Sequence, residues 1–499
     1  MCRVEKIELL RNTTFGRRVA EDEADVLSSY FVETEQWRRI FGGEVDVVLG
    51  AKGSGKSAAY FLLIARENDL FDRGIAITAA ENPRGQPAFA GLITDPPATE
   101  EQFQNLWKLY FLTLIADVLV DYDIHTPDAD HVLEVLRGAK LHEGRPSLGR
   151  RLQDVLLYVR RYSEPESLSG GLQFDPSGLP LFTGKITFRE PSADQAQHGL
   201  ISADQLFRDA DAALAEKGLS VWILLDRLDV AFAASPDLEA NALRALFRVY
   251  ADNLALANVK LKIFLRDDIW QRITRPGFRE ASHVTGQITL AWDRGALLNL
   301  LMRRALSNPA VTEFYECDAG EVLSDFSEQE ALFERIFPEQ VELGSNRSKT
   351  WNWMIGHTQD GTTRTAPREL IHLVEAARLR EINSVEVGRG APEGEYMISG
   401  PSIKSALEEV SKVRLEQTVY AEYPELRARI QQLDSAKAEQ TVESLATIWS
   451  VTPEQADEMA QRLVEIGFFE PRTSRLGKTY WVPLLYRGPL RLTQGRARA

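Results

Sequence analysis

The chain has 499 residues and a mass of 56.1 kDa, with 58 Lys and Arg against 73 Asp and Glu for a net charge of −15. At roughly 100–200 residues per domain the length points to two to four domains. A hydrophobic content of 44% supplies a sizeable core and excludes a largely disordered chain. The acidity excludes a protein that coats nucleic acid or anionic membrane with its whole surface. Cys2 and Cys317 are the two cysteines and cannot build a disulfide framework, which fits a reducing cytoplasm. The seven histidines are scattered and no C-x-x-C occurs, which argues against structural zinc. The first 18 residues lack the apolar core of a signal peptide. No stretch approaches the ~20 apolar residues of a spanning helix; residues 111–120 are interrupted by Asp117 and read as a core helix.

In chain order, residues 20–41 read as one amphipathic helix with Val26, Leu27, Tyr30, Phe31, Trp37 and Ile40 as its apolar positions, stopped by Gly42-Gly43. Residues 45–49 (VDVVL) are rich in β-branched side chains and predict a buried strand. A Gly-rich turn and a helix over 56–68 follow, then a strand over 74–78. Residues 85–200 are less regular and read as an insertion, with helices over 100–117 and 148–162 and a hairpin over 172–188. Ser202, with Gln205 three residues on, opens a helix that Gly218 ends. An apolar strand over 220–225, a helix over 241–254 and a strand over 259–265 complete the alternation. The fold class is therefore α/β, with a parallel sheet covered on both faces.

Residues 285–387 are mainly helical, with helices over 293–306, 329–336 and 367–379, and 388–393 (GRGAPE) read as a linker. Beyond it come helices over 402–413 and 441–448. A third helix is capped by Thr452, Pro453 and Gln455, and a hairpin joins 468–470 to 479–482. Helix–turn–helix plus hairpin is a winged-helix pattern. The expected domains are a helical segment 1–44, a core 45–284, a helical region 285–387 and a winged helix 388–499.

The strand over 45–49 runs directly into Gly50-Ala51-Lys52-Gly53-Ser54-Gly55-Lys56-Ser57, which is G-x-x-x-x-G-K-[ST] between a strand and a helix. The glycines let backbone N–H groups wrap an anion, and the new helix aims its positive end at the same point. Lys56 supplies charge to the β- and γ-phosphates of ATP, and Ser57 a hydroxyl ligand for Mg²⁺. A second metal ligand belongs at the end of a neighbouring apolar strand. Val221-Trp222-Ile223-Leu224-Leu225-Asp226 provides Asp226, whose alternative role is to cap the next segment. Arg227 follows Asp226, so Asp229 is the nearest carboxylate that could orient an attacking water; it could equally be a solvated side chain. The strand over 261–265 ends in Arg266-Asp267-Asp268, where Arg266 or Asp267 could sense the γ-phosphate or simply form a surface ion pair.

With these motifs in this order, the chain resembles the additional-strand P-loop ATPases. LLDRLD, residues 224–229, resembles the KAP and STAND NTPases of bacteria. Residues 20–58 closely resemble a group of bacterial P-loop ATPases associated with mobile elements and antiviral defence. The resemblance implies that residues 285–387 form a helical lid like that of the AAA+ and STAND classes. It also makes Arg368, in TRTAPRELI, similar to a sensor-2 arginine. It implies oligomeric assembly, with Arg272, Arg275 or Arg279 completing a neighbour's site, and a companion effector protein. Arg227 after Asp226 departs from the AAA+ pattern, where a Glu is usual.

Residues 461–499 hold eight basic side chains and two acidic ones, a local charge of +6 against −21 for the remainder. Arg472, Arg475 and Lys478 lie in the expected wing, where they could contact DNA phosphates; a packing or oligomerisation module is the other reading. These residues together predict a cytoplasmic, Mg²⁺-dependent ATPase acting as an oligomer with DNA or a partner, or else an ATP-gated scaffold or DNA-binding regulator with little turnover.

Overall fold

The structure, a computed structural model, describes residues 3–23, 26–82, 88–90, 92, 97, 99–162, 185–197, 199–228, 235–275, 277–474 and 477–497. The chain divides into two compact units. A sheet unit comprises Glu35–Gly50 and Lys56–Thr289; a helical unit comprises Met1–Thr34, Ala51–Gly55 and Leu290–Ala499.

The strands of the sheet unit are β1 (Val47–Gly50), β2 (Ile75–Ala79), β3 (Lys185–Thr187), β4 (Leu200–Ser202), β5 (Ser220–Leu225), β6 (Val259–Arg266) and β7 (Gln287–Thr289). Five of them form one parallel sheet in the order β2-β5-β6-β1-β7, while β3 and β4 make a separate parallel pair. The expected α/β class with a parallel central sheet is thus present. In β5 every residue after Ser220 is buried, the pattern of a strand covered on both faces. In the adjacent β6 the buried Lys262 is satisfied by Asp46 at 2.9 Å and the Val45 carbonyl at 2.7 Å, and lies 4.2 Å over the Trp222 ring.

Helices Glu100–Asp121, Pro127–Gly138 and Leu148–Tyr162 share one apolar core with this sheet. Trp107 donates its indole N–H to the Ala242 carbonyl at 2.9 Å, and the Tyr110 hydroxyl donates to the Ala80 carbonyl at 2.7 Å. Among the described residues Glu100–Asp121 is long and apolar enough to cross a membrane, a length the broken apolar run concealed, but 78% of its apolar window is buried inside the protein. Asp117 on this helix accepts from Arg151 at 2.5 Å and meets His142 at 2.9 Å. Burial alone would raise its carboxyl; those two partners hold it below the ordinary range. The hairpin expected over 172–188 falls largely outside the described residues, and its last residues, β3, pair with β4.

In the helical unit the long helices Pro367–Glu386 and Gly400–Arg414 pack together, and the N-terminal helix Arg3–Arg11 lies on the first of them. Arg378 donates to the Leu10 carbonyl at 2.6 Å, and the buried Lys6 ammonium donates to the carbonyls of Pro392 and Gly394, each at 2.6 Å. The single helix expected over 20–41 is instead a 3-10 turn, Ala20–Asp22, and two short helices, Leu27–Tyr30 and Glu35–Phe41. Tertiary contacts override the periodicity there. Glu23 is drawn into a buried pair with Arg304 at 3.0 Å, whose guanidinium lies 4.2 Å over Tyr30, while Val26 is 53% exposed.

The C-terminal part carries β8 (Lys437–Thr441), β9 (Glu470–Ser474), β10 (Gly477–Trp481) and β11 (Thr493–Arg496) in one sheet, ordered β11-β8-β10-β9. Helices Val442–Trp449 and Pro453–Glu465 connect β8 to β9. The Thr452 hydroxyl accepts from Gln455 N while the Gln455 side chain accepts from Thr452 N, a complete capping box. Thr452→Ala is expected to cost about 1 kcal/mol, read as a lower denaturation midpoint with nucleotide binding unchanged.

Candidate functional site

The chain leaves β1 at Gly50, turns through Ala51–Gly55 and enters helix Lys56–Ala65. Gly53 and Gly55 have φ of +82° and +99°, a region that glycine enters without penalty. A Cβ on Gly53 would stand 2.9 Å from the Cβ of Arg368, so the loop also needs glycine for space. Ser54 N donates to the Ala51 carbonyl at 3.1 Å, which tightens the turn. The Lys56 ammonium donates to the Gly50 carbonyl, at the end of β1, at 2.8 Å. Ser57 is the second residue of the helix, whose first-turn N–H groups have no partner within it. The Ser54 hydroxyl is buried with no hydrogen-bond partner.

Within the helical unit, three side chains from outside the motif, those of Trp292, Glu422 and Arg368, reach this loop. Trp292 donates its indole N–H to the Ser54 carbonyl at 2.7 Å. Lys52 is ion-paired with Glu422. Arg368, packed on Gly53, donates from Nε to the Arg18 carbonyl at 3.2 Å. A cavity of about 80 Å³ opens here among Arg18, Lys52, Arg368, Glu369, His372 and Arg414. Lys52 is neutralised there by Glu422, and Arg414 by Glu369 and Asp360. Burial, then the Arg18 charge, holds the His372 imidazole below its ordinary pKa. Arg368, the second residue of helix Pro367–Glu386, is indicated by its resemblance to a sensor-2 arginine; Arg18, Trp292, His372 and Glu422 carry no local signature.

In the sheet unit, β6 stands between β1 and β5, so a strand separates the loop strand from the strand that ends in Asp226. Arg266 is in register with Gly50, and its guanidinium grips Asp268 through two bonds of 3.0 and 2.8 Å. Asp267 opens helix Asp267–Thr274 and accepts from Asp268 N at 3.0 Å. Asp226 directly follows β5 and is 5% exposed. Arg227 has φ +59°, the left-handed region that costs a bulky residue energy, and donates to the Asn82 carbonyl at 3.2 Å. Asp229 lies outside the described residues. Arg272 is ion-paired with Glu239. Arg275 and Arg279 are exposed, and Arg279 borders a cavity of about 330 Å³ with Arg244 and Arg248.

Sequence reasoning missed Glu81, two residues beyond β2. It is 1% exposed. Its Oε1 accepts from Ala88 N at 2.5 Å and Asn82 N at 2.6 Å, while its Oε2 has no hydrogen-bond partner. Tyr60, on the helix after the loop, has a buried hydroxyl that is likewise unpartnered. Burial, then the charges of Asp226 and Glu81, pushes that hydroxyl above its ordinary pKa, which puts all three groups in one neighbourhood.

At the other end of the chain, Arg472 is paired with Glu470 at 2.9 Å and lies 4.0 Å over the Trp481 ring, and Lys478 is paired with Asp457 at 3.0 Å. Arg475 lies outside the described residues. Arg462 and Arg491 pair with Glu425 and Asp434, so much of the local positive charge meets acids from earlier in the chain.

No protein-family profile matches the chain. It is similar to the transposon gamma-delta 80.3 kDa protein of Escherichia coli strain K12, with 24% identity over 318 residues. That alignment covers 59% of this chain but 39% of the relative, so the chain spans well under half of that protein's length. Among solved structures it is similar to the ORC2 protein of Aeropyrum pernix in ADPNP–ADP complexes, with 12% identity, a TM-score of 0.36 and coverage of 94% of this chain and 92% of that one.

Proposed function

We propose that the chain binds ATP on residues 50–57 and hydrolyses it with Mg²⁺. The observation that carries this reading is the strand–loop–helix itself: left-handed Gly53 and Gly55 before a helix start, with the Lys56 ammonium on the Gly50 carbonyl that ends β1. The Ser57 hydroxyl and Asp226 would hold Mg²⁺. Among the described residues no group of three or more His, Cys, Asp or Glu could hold a metal alone. Mg²⁺ takes one or two carboxylates and completes its shell with phosphate and water. When bound it would neutralise charge on the β- and γ-phosphates. Arg368 on the loop and Arg266 beside Gly50 are the side chains proposed to meet developing γ-phosphate charge. The test is phosphate release by the purified chain: ATP with Mg²⁺ is expected to yield phosphate, EDTA to stop it, and added Mg²⁺ to restore it. No release from ATP-saturated protein would overturn the hydrolytic reading.

A second reading, ATP as a conformational ligand for a scaffold or DNA-binding regulator, is favoured by one feature. Arg227 occupies the position after Asp226. Phosphate release separates the two readings.

The wider proposal is a cytoplasmic homo-oligomer in which residues 285–387 act as a lid. The exposed Arg275 and Arg279 are the candidates to complete a neighbour's site. The two helices and hairpin between β8 and β11 support a winged helix. A DNA contact through Arg472 and Lys478 would have to exchange Glu470 and Asp457 for phosphate. A role alongside mobile elements is supported by the transposon named in the relative; a companion effector and bacterial antiviral defence are proposed on the resemblance of residues 20–58 alone.

A further inference from the structure

We propose that Glu81, not Asp229, is the carboxylate that receives the proton of the attacking water, and that it does so from the strand next to the one bearing Asp226. The assignment rests on the ATPase reading above.

The register supplies the first argument. β2 and β5 run parallel with Ala79 beside Leu224, and Ala80 N donates to the Leu224 carbonyl at 2.9 Å, so the ladder continues past the named end of β2. Glu81 lies two residues past Ala79 and Asp226 two past Leu224, and the charges of both act on the Tyr60 hydroxyl.

The second argument is the state of the carboxylate. Oε1 is fixed by backbone N–H groups of Asn82 and Ala88, so the side chain is oriented before any substrate arrives. Oε2 is buried and unpartnered, and the nearby Tyr60 hydroxyl is also unpartnered. A buried polar atom without a partner is costly and uncommon in folded proteins. Glu81 and Tyr60 each keep one hydrogen bond still to make, and the Asp226 charge acts on the second of them. Burial also pushes the Glu81 carboxyl upward, against the lowering effect of its backbone donors Ala88, Asn82 and Phe89 and of Arg227.

The third argument is the residue after Asp226. Arg227 cannot accept a proton. Its positive charge acts on Glu81, so the carboxylate absent from β5 is met by one from β2. In the step proposed, the water oxygen bonds to the γ-phosphorus and the bond from that phosphorus to the β–γ bridging oxygen breaks. The electron pair leaves on ADP. The water proton goes to Glu81 Oε2 and then to phosphate or solvent.

Glu81→Gln keeps an acceptor for the backbone donors and removes the base. It is expected to bind a fluorescent ATP analogue as wild type does while kcat falls at least ~100-fold, and Asp229→Asn is expected to retain turnover. Wild-type kcat in Glu81→Gln, or loss of turnover in Asp229→Asn alone, overturns the assignment and leaves the ATPase reading standing. A wild-type chain that binds ATP and releases no phosphate overturns both. If Glu81→Gln does not fold, Glu81→Asp withdraws the carboxylate by one methylene. It is expected to lower kcat with KM unchanged, and an unchanged kcat overturns the role.

Discussion

Lys56→Ala is expected to weaken ATP binding at least ~100-fold, a loss of about 2.7 kcal/mol, with little change in the stability of the nucleotide-free protein. The asymmetry follows from what Lys56 does in each state. Without nucleotide its ammonium donates to the Gly50 carbonyl of its own loop, a part-buried bond whose loss water can offset. With ATP the same ammonium would be a charge-assisted donor to the β- and γ-phosphates, roughly twice as strong as a neutral bond. Lys52, the other lysine of residues 50–57, is ion-paired with Glu422. Calorimetric titration and the ATP-induced rise in melting temperature both report the effect. A ligand at 100 times its Kd stabilises by about 2.7 kcal/mol, and that increment should vanish in the variant. Unchanged affinity would remove the phosphate loop from the binding site.

Arg414→Met is expected to destabilise the helical unit by about 3–5 kcal/mol. Arg414 is 8% exposed and ties three elements together. Its guanidinium is 2.9 Å from Glu369 on helix Pro367–Glu386, 3.7 Å from Asp360 and 3.5 Å from the Tyr486 hydroxyl. Burial alone would lower the Arg414 pKa, but the Glu369 charge raises it, so the cation persists. Removing it strands Glu369, which is buried and already has one unpartnered oxygen. The penalty is that of an uncompensated buried charge rather than of one hydrogen bond. The double variant Arg414→Met with Glu369→Gln should recover a large part of the loss, and a double-mutant cycle by denaturant unfolding measures the coupling. Strictly additive losses would show that the pair does not act as a unit.

Local chemistry is legible in this sequence and distant pairing is not. The loop over 50–57 could be read because its glycines, lysine and serine act within eight consecutive residues. The caps at Ser202 and Thr452 could be read for the same reason, and both form. The strand order is also anticipated in one respect, since a strand between the loop strand and that of Asp226 was expected and β6 occupies that place. The helix over 20–41 was misread because periodicity registers apolar spacing but not that Glu23 has a buried partner 281 positions away, in Arg304.

By itself, then, the sequence determined the α/β alternation, the phosphate loop and the apolar strand that ends in Asp226. Each depends on residues adjacent in the chain, where spacing alone implies geometry. Tertiary structure decided which carboxylate stands beside Asp226, because parallel pairing of β2 with β5 joins residues more than a hundred positions apart. It likewise decided that the basic C-terminal stretch is partly neutralised. Charges summed along a chain ignore acids that folding brings alongside, and Arg462, Lys478 and Arg491 each meet one from outside that stretch.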